Sequence, residues 1–168
     1  MSQWTIYQDQ RRCIGCKACE LHCKIHHRLE PGPRFGEIVA IGPEEIGGRP
    51  RLRFVFMPCF HCETAWCVSA CPTGAMRRRD RDRVVWVEGS QCIGCTACMT
   101  ACPWGIPQWD STSGRVVKCD HCRDRLDAGR EPACVTGCVT GSLQWVRTED
   151  VPGLKRRATA GELAEPVR

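Results

Sequence analysis

Sixteen of the 168 residues are cysteine, and they fall into four groups of four with none left over. Cys13, Cys16, Cys19 and Cys23 lie in RCIGCKACELHCK, and Cys59, Cys62, Cys67 and Cys71 in PCFHCETAWCVSAC. Cys92, Cys95, Cys98 and Cys102 lie in QCIGCTACMTAC, and Cys119, Cys122, Cys134 and Cys138 in KCDHCRDRLDAGREPACVTGC. Thiols two or three residues apart suit a shared metal site better than a staple across a fold. A cubane iron–sulfur cluster needs four thiolates converging from different directions, and C-x2-C-x2-C turns three of them into one bowl. Gly15 and Gly94 let backbone amides approach the cluster sulfides, whose hydrogen bonds help tune the potential.

The groups repeat. The first and third share C-I-G-C-x-A-C with C-x2-C-x2-C-x3-C spacing. The second and fourth share C-x-H-C, an insert of variable length, C-V-x-x-C and a T-G-[AS] tail. An A-type and a B-type motif thus alternate. In two-cluster ferredoxins the last cysteine of such a motif ligates the other cluster, and a Pro commonly follows it. Pro72 and Pro103 fill that place; Lys24 and Val139 stand there in the first and fourth motifs, which alters the turn without removing a ligand. Zinc wants two C-x2-C knuckles a dozen or more residues apart. Only the fourth group partly fits that, so the metal expected throughout is iron, as four [4Fe–4S] clusters.

The elements that must position these loops are short. Strands are expected at Thr5–Gln8, Leu52–Met57, Val84–Val87, Arg115–Val117 and Leu143–Arg147. Single helical turns are expected after the last cysteine of each motif. PGPRFG (Pro31–Gly36) and GGRP (Gly47–Pro50) read as loops. The tail Thr148–Arg168 is polar; it either holds a helix at Leu154–Glu165 or is disordered. Much of the interior would be occupied by what the cysteines hold, so the cofactors should contribute to folding. His61 and His121 occupy equivalent places in the two C-x-H-C motifs and are expected to support the ligands rather than join them. His22, His26 and His27 are expected on a polar helix face. Trp66, Trp104 and Trp109 lie near cluster loops, where shielding from water is the plainer role and electron relay the bolder one.

Composition excludes other classes. The net charge is a mild +5, and the stretch RRRDRDR (Arg77–Arg83) is interrupted by Asp80 and Asp82 without interleaved aromatics. It reads as a solvated turn or a docking surface for an acidic partner, with no nucleic acid as partner. No apolar run is long enough to span a membrane. The N-terminal stretch has no apolar core of a secretory signal, which argues against a disulfide scaffold and for the cytoplasm. No nucleotide loop, flavin motif or nucleophile–base signature is present, so the expectation is a non-enzymatic electron carrier.

The gaps suggest how the motifs pair. Few residues separate the second and third, making a compact unit, which leaves the first and fourth to pair across it. From Trp4 to Trp145 the chain resembles the four-cluster iron–sulfur subunits that accompany molybdenum or tungsten enzymes of the dimethyl sulfoxide reductase type. The polyferredoxin subunits of tungsten aldehyde oxidoreductase and formate dehydrogenase complexes are similar. The residues that carry the resemblance are the four motifs with CPWGIPQWD (Cys102–Asp110), KCDHC (Lys118–Cys122) and PACVTGC (Pro132–Cys138).

The resemblance implies an α+β fold of two ferredoxin-like 2[4Fe–4S] modules, one inserted within the other, with short strands and helices and long loops. The outer module would be residues 1–53 plus 111–147, the inserted one 54–110, and the tail 148–168. It implies that cluster one takes Cys13, Cys16, Cys19 and Cys138, and cluster two Cys119, Cys122, Cys134 and Cys23. Cluster three would take Cys59, Cys62, Cys67 and Cys102, and cluster four Cys92, Cys95, Cys98 and Cys71.

The function implied is electron relay between a molybdenum- or tungsten-containing catalytic subunit, of aldehyde oxidoreductase or formate dehydrogenase type, and another redox carrier. A further flavin or electron-acceptor subunit and self-association are compatible with it. A polyferredoxin serving a hydrogenase or carbon monoxide dehydrogenase, a freely diffusing polyferredoxin, and a redox-sensing regulator are the alternatives. A periplasmic home by co-export with a partner is the alternative location.

Overall fold

The computed structural model describes residues 3–164. Its elements are β1 (Trp4–Gln8), α1 (Ala18–His27), β2 (Glu37–Ile46), β3 (Arg49–Met57), α2 (Trp66–Ser69), β4 (Met76–Arg78) and β5 (Val85–Val87). There follow α3 (Ala97–Ala101), β6 (Gln108–Asp110), β7 (Arg115–Val117), α4 (Arg123–Asp127), α5 (Ala133–Thr136), β8 (Leu143–Arg147) and α6 (Val151–Ala164). Among the described residues the strands form two-stranded antiparallel sheets: β1–β8, β2–β3, β4–β5 and β6–β7.

Their order mirrors the repeat. Each half of the chain runs strand, A-type motif, hairpin, B-type motif, strand, from β1 to β4 and again from β5 to β8. The outer strands of a half do not pair with each other. β4 pairs with β5, and β8 returns to β1 with Trp4 opposite Arg147 and Gln8 opposite Leu143. Each of these sheets therefore joins a motif of one half to a motif of the other, and the fold is two ferredoxin-like modules, one inserted within the other.

The hairpin β2–β3 is longer than the sequence suggests. Gly42-Pro43 interrupts β2, and the register shifts between Ile41 and Glu44 to absorb it. Such a bulge lets a strand continue past residues that would otherwise end it. Gly47 and Gly48, both at positive φ, make the turn, while Arg49 and Pro50 belong to β3. The hairpin is fastened by Gln8, whose side-chain amide donates to the Phe54 carbonyl (2.9 Å) and accepts from the Phe56 N–H (2.8 Å). Glu20 accepts from the Ile38 N–H at 2.8 Å. Phe56 then packs with Cys19, Ile38 and Leu143, and Phe54 flanks them.

The helices differ from expectation in a consistent way. α2, α3 and α5 each begin one residue before the third cysteine of their motif and end before the fourth, not after it, and α1 spans both Cys19 and Cys23. One turn of helix puts residues i and i+4 on one face, so x3 spacing presents the two thiols from a single helical turn. Pro72 and Pro103 then prevent its continuation. The tail helix α6 starts at Val151 after a tight turn at Thr148–Asp150. Arg11 donates to its Ala158 carbonyl at 2.8 Å. Glu165, the expected end of that helix, lies outside the described residues.

Apolar packing is divided among small cores, each of which includes cysteines. Cys23, Cys59 and Cys119 share one with Phe35 and Ile106, and Cys98 another with Met76, Val85 and Val116. The arginine-rich run is a clasp rather than a free basic surface. Arg79 pairs with Asp82 (2.5 Å) and with Asp127 of α4 (2.7 Å), Arg81 also pairs with Asp127, and Arg83 pairs with Glu63 (3.0 Å).

Candidate metal centres

In the A-type loops the chain turns through left-handed backbone at Gly15 and Lys17 and at the equivalent Gly94 and Thr96. Lys17 and Thr96 are also the residues on which α1 and α3 begin. An aromatic side chain seats each glycine. A Cβ on Gly15 would lie 2.5 Å from the Phe54 ring, and one on Gly94 would lie 3.0 Å from Trp109. Phe54 and Trp109 come from the equivalent hairpins, so the hairpins buttress the cysteine loops. In the B-type loops the left-handed residues are His61, His121 and Cys122.

These turns gather the thiols into sets drawn from two motifs each. One cavity is lined by Cys13, Cys16, Cys19 and Cys138. A second is lined by Cys59, Cys62, Cys67 and Cys102, and a third by Cys71, Cys92, Cys95 and Cys98. Cys23, Cys119, Cys122 and Cys134 are all buried. Burial pushes the Cys23 thiol up, and the neighbouring Cys119 and Cys122 push it further; Cys134 is raised by burial and then by Cys119, Cys23 and Cys122. Only Cys16 and Cys95, the second cysteines of the A-type motifs, are exposed.

Backbone N–H groups point at several sulfurs. Met76 donates to Cys71 and Leu143 to Cys138, each at 3.4 Å and each five residues on, with the Thr73 and Thr140 hydroxyls at 3.7 Å. At both thiols burial acts upward, but these donors together outweigh it and leave the groups below their ordinary value. Ala133 donates to Cys122 and His61 to Cys59, both at 3.4 Å. Elsewhere burial wins: Cys19 is pushed up to about 12, and Cys98 and Cys122 to about 11. Buried thiols of this kind ionise only around a cation. Four converging thiols with N–H donors aimed at sulfur fit a cubane cluster.

The histidines divide. His61 Nδ1 accepts from the Val85 N–H at 2.8 Å, which makes Nε2 the protonated nitrogen, and Nε2 is buried without a partner. Burial holds His61 well below its ordinary value and brings His121 down to about 3, so both rings are neutral. His27 departs from the expected polar face: its Nε2 lies 3.3 Å from Cys122 Sγ and 3.7 Å from Asp120, while His26 faces Asp124 at 3.0 Å. The spacing Cys19, Cys23, His27 is the signal that places it on the ligand face of α1. Phe60, Trp66 and Trp104 wall the second cavity and present their other sides to solvent. Lys118, the first residue of KCDHC, is 4% exposed and lines that same cavity. His61 and His121 could reach a metal with Cys119, and His26 and His27 with Cys122, but both groupings share a cysteine with the fourth set of thiols.

The fold and these thiol sets define a ferredoxin-type carrier of several iron–sulfur clusters. Two family profiles, each described as a 4Fe-4S dicluster domain, match residues 51–148 and 12–75. The chain is 39% identical over 151 residues to the thiosulfate reductase electron transfer subunit PhsB of Salmonella typhi, covering 89% of this chain and 78% of that one. It is 38% identical over 151 residues to the B subunit of the anaerobic dimethyl sulfoxide reductase of Escherichia coli K12, covering 86% and 73%. A solved structure, the active site complex BamBC of benzoyl coenzyme A reductase with benzoyl-CoA, is 22% identical over 95% of this chain and 91% of that one. Its TM-score of 0.44 is too low to bear on the fold or the function. The chain belongs to the family of dimethyl sulfoxide reductase-type beta subunits, the iron–sulfur electron-transfer subunits. Two dicluster domains and sixteen cysteines give it four [4Fe–4S] clusters.

Proposed function

We propose that this chain is the electron wire of a molybdenum- or tungsten-containing oxidoreductase, passing electrons between the catalytic subunit and another carrier and making no chemical bonds itself. The observation that carries this reading is the set of cavities lined by four thiols from two motifs, which leaves no coordination position for a substrate. Cluster one is held by Cys13, Cys16, Cys19 and Cys138, and cluster two by Cys119, Cys122, Cys134 and Cys23. Cluster three is held by Cys59, Cys62, Cys67 and Cys102, and cluster four by Cys92, Cys95, Cys98 and Cys71. The modules divide as 1–53 with 111–147 and 54–110, followed by the tail 148–168, with β3 running across the first division.

The bound clusters supply one-electron storage. The chain's own residues hold the sulfurs, donate N–H bonds to them, and exclude water with Phe60, Trp66 and Trp104. The exposed Cys16 and Cys95 support exchange with partners at clusters one and four. For the partner, an aldehyde oxidoreductase or formate dehydrogenase is the reading taken from the motifs; the relatives' names favour a reductase of thiosulfate or dimethyl sulfoxide as the second reading. Among the described residues no helix is long and apolar enough to cross a membrane. We place the complex in the cytoplasm, with periplasmic co-export as the alternative.

Native purification tests the proposal. A large subunit containing molybdenum or tungsten should co-purify. Formate and aldehyde should bleach the cluster absorption, or else dimethyl sulfoxide and thiosulfate should restore it after reduction. A free monomer with no such partner, or a chain holding about four irons in place of about sixteen at full occupancy, overturns the reading.

A further inference from the structure

The two B-type loops meet at the centre of the molecule. The His61 and His121 rings lie 3.7 Å apart, centroid to centroid, and Cys59 and Cys119 share one apolar core. The segments that touch are repeat-related: Pro58-Cys-Phe-His-Cys62 and Lys118-Cys-Asp-His-Cys122. They differ at two places, and both differences are charges. Lys118 replaces Pro58, and Asp120 replaces Phe60.

Lys118 belongs to the outer module but reaches into the cavity of the inserted one, beside Cys59, Cys62, Cys67 and Cys102. Its ammonium donates to the carbonyls of Val85 and Cys119. It is buried, and among the described residues it makes no ion pair with a carboxylate. A buried cation without a counter-charge is costly. Four thiolates around a dicationic iron–sulfur core leave a dianion, and reduction by one electron leaves a trianion, so the cavity itself supplies the opposite charge. Phe60, Trp66 and Trp104 make the remaining wall apolar, where little screens the attraction. Asp120 stands on the other side of the junction. Its carboxylate accepts from the Cys122 N–H at 2.9 Å, which holds its charge beside the thiols of cluster two.

Resting on the ligand sets above, we propose that Lys118 and Asp120 split the potentials of the two central clusters, Lys118 raising cluster three and Asp120 lowering cluster two. Neither residue is a ligand; both act through charge. An electron crossing from the outer module to the inserted one then moves to the site that holds it more tightly. One electron leaves one cluster and arrives at the other, with no bond broken and no proton moved. Repeat-related loops that would otherwise be near-equivalent become a directed step.

The test is a redox titration of the full chain in its native complex, read by electron paramagnetic resonance. Lys118→Met should lower one potential, by roughly tenfold in the ratio of reduced to oxidised cluster (about 59 mV for one electron), and Lys118→Arg should restore it. Asp120→Asn, which keeps the oxygen that accepts from Cys122, should raise a different potential. Cys67→Ser and Cys122→Ser identify the signals of clusters three and two. If Lys118→Met leaves all potentials in place, or moves the signal altered by Cys122→Ser, the proposal is wrong. If Lys118→Met loses iron, Asp120→Asn decides alone, and an unmoved cluster-two signal overturns the proposal. Failure of the ligand sets reads differently: Cys67→Ser and Cys102→Ser would then alter different signals.

Discussion

Replacing Gly15 by alanine tests whether the β2–β3 hairpin holds the first cysteine loop in shape. Gly15 has φ +68°, and a Cβ there would lie 2.5 and 2.6 Å from Cε1 and Cζ of Phe54. The left-handed backbone alone costs an alanine about 1–2 kcal/mol. The overlap with a ring held in the core adds about 1–3 kcal/mol, the usual range for overpacking. Gly74 is the control: its φ is +67° and a Cβ would meet nothing within 4 Å, so Gly74→Ala carries the backbone cost alone. The difference between the two variants corresponds to roughly 5- to 150-fold in an opening equilibrium, since about 1.4 kcal/mol is tenfold.

Iron release to an external chelator under native conditions reads that opening. Gly15→Ala should release iron faster than Gly74→Ala by a factor in this range, and Phe54→Leu added to Gly15→Ala should recover part of the loss. Equal release from the two variants, or no relief from Phe54→Leu, would refute the idea that the hairpin shapes the loop.

Other outcomes follow from the same geometry. Cys138→Ser should lower the iron content from about sixteen toward about twelve and perturb the cluster held by Cys13, Cys16 and Cys19; Cys23→Ser should do the same at the opposite end of the outer module. Iron analysis with the spectra of the remaining clusters checks both. His27→Leu should lower the potential of cluster two by removing a ring nitrogen, 3.3 Å from Cys122 Sγ, that donates to the sulfur in its Nε2–H tautomer, and His27→Gln should restore part of it; an unmoved potential contradicts that tautomer. Cys19, at about 12, and Cys98 and Cys122, at about 11, are protonated thiols at neutral pH, so cluster insertion at pH 7 should release about one proton from each. Their folded values lie above the unfolded 9.0. Fold retained without metal is thus stabilised by them below pH 9 and loses that contribution as pH rises through 11 to 12. An alkaline transition of the metal-free chain centred below pH 9, followed by circular dichroism, would contradict this.

The number and kind of cofactors were legible in the sequence because cysteine spacing is local chemistry: three thiols within seven residues can form a bowl wherever the loop lies. The alternation of motif types was equally legible, and so were Arg115–Val117 and Leu143–Arg147, which the structure has as strands with those bounds. The long hairpin was not, since Gly42-Pro43 reads as a break until a partner strand accommodates the bulge. Nor did spacing reveal that each helix begins just before the third cysteine of its motif, so that the third and fourth thiols leave it toward different cavities.

Tertiary structure alone decided what surrounds the sulfurs. Phe54 seats Gly15 from a distant hairpin, and His27 turns from solvent to Cys122. The arginine run became a clasp because Asp127 and Glu63 come within reach. Lys118 opens the KCDHC motif, but only the folding of the repeat on itself buries it at the cavity of Cys59, Cys62, Cys67 and Cys102. The spacing of cysteines determines what this chain can hold. The environment of each thiol set depends on long-range packing, which brings together residues far apart in the sequence.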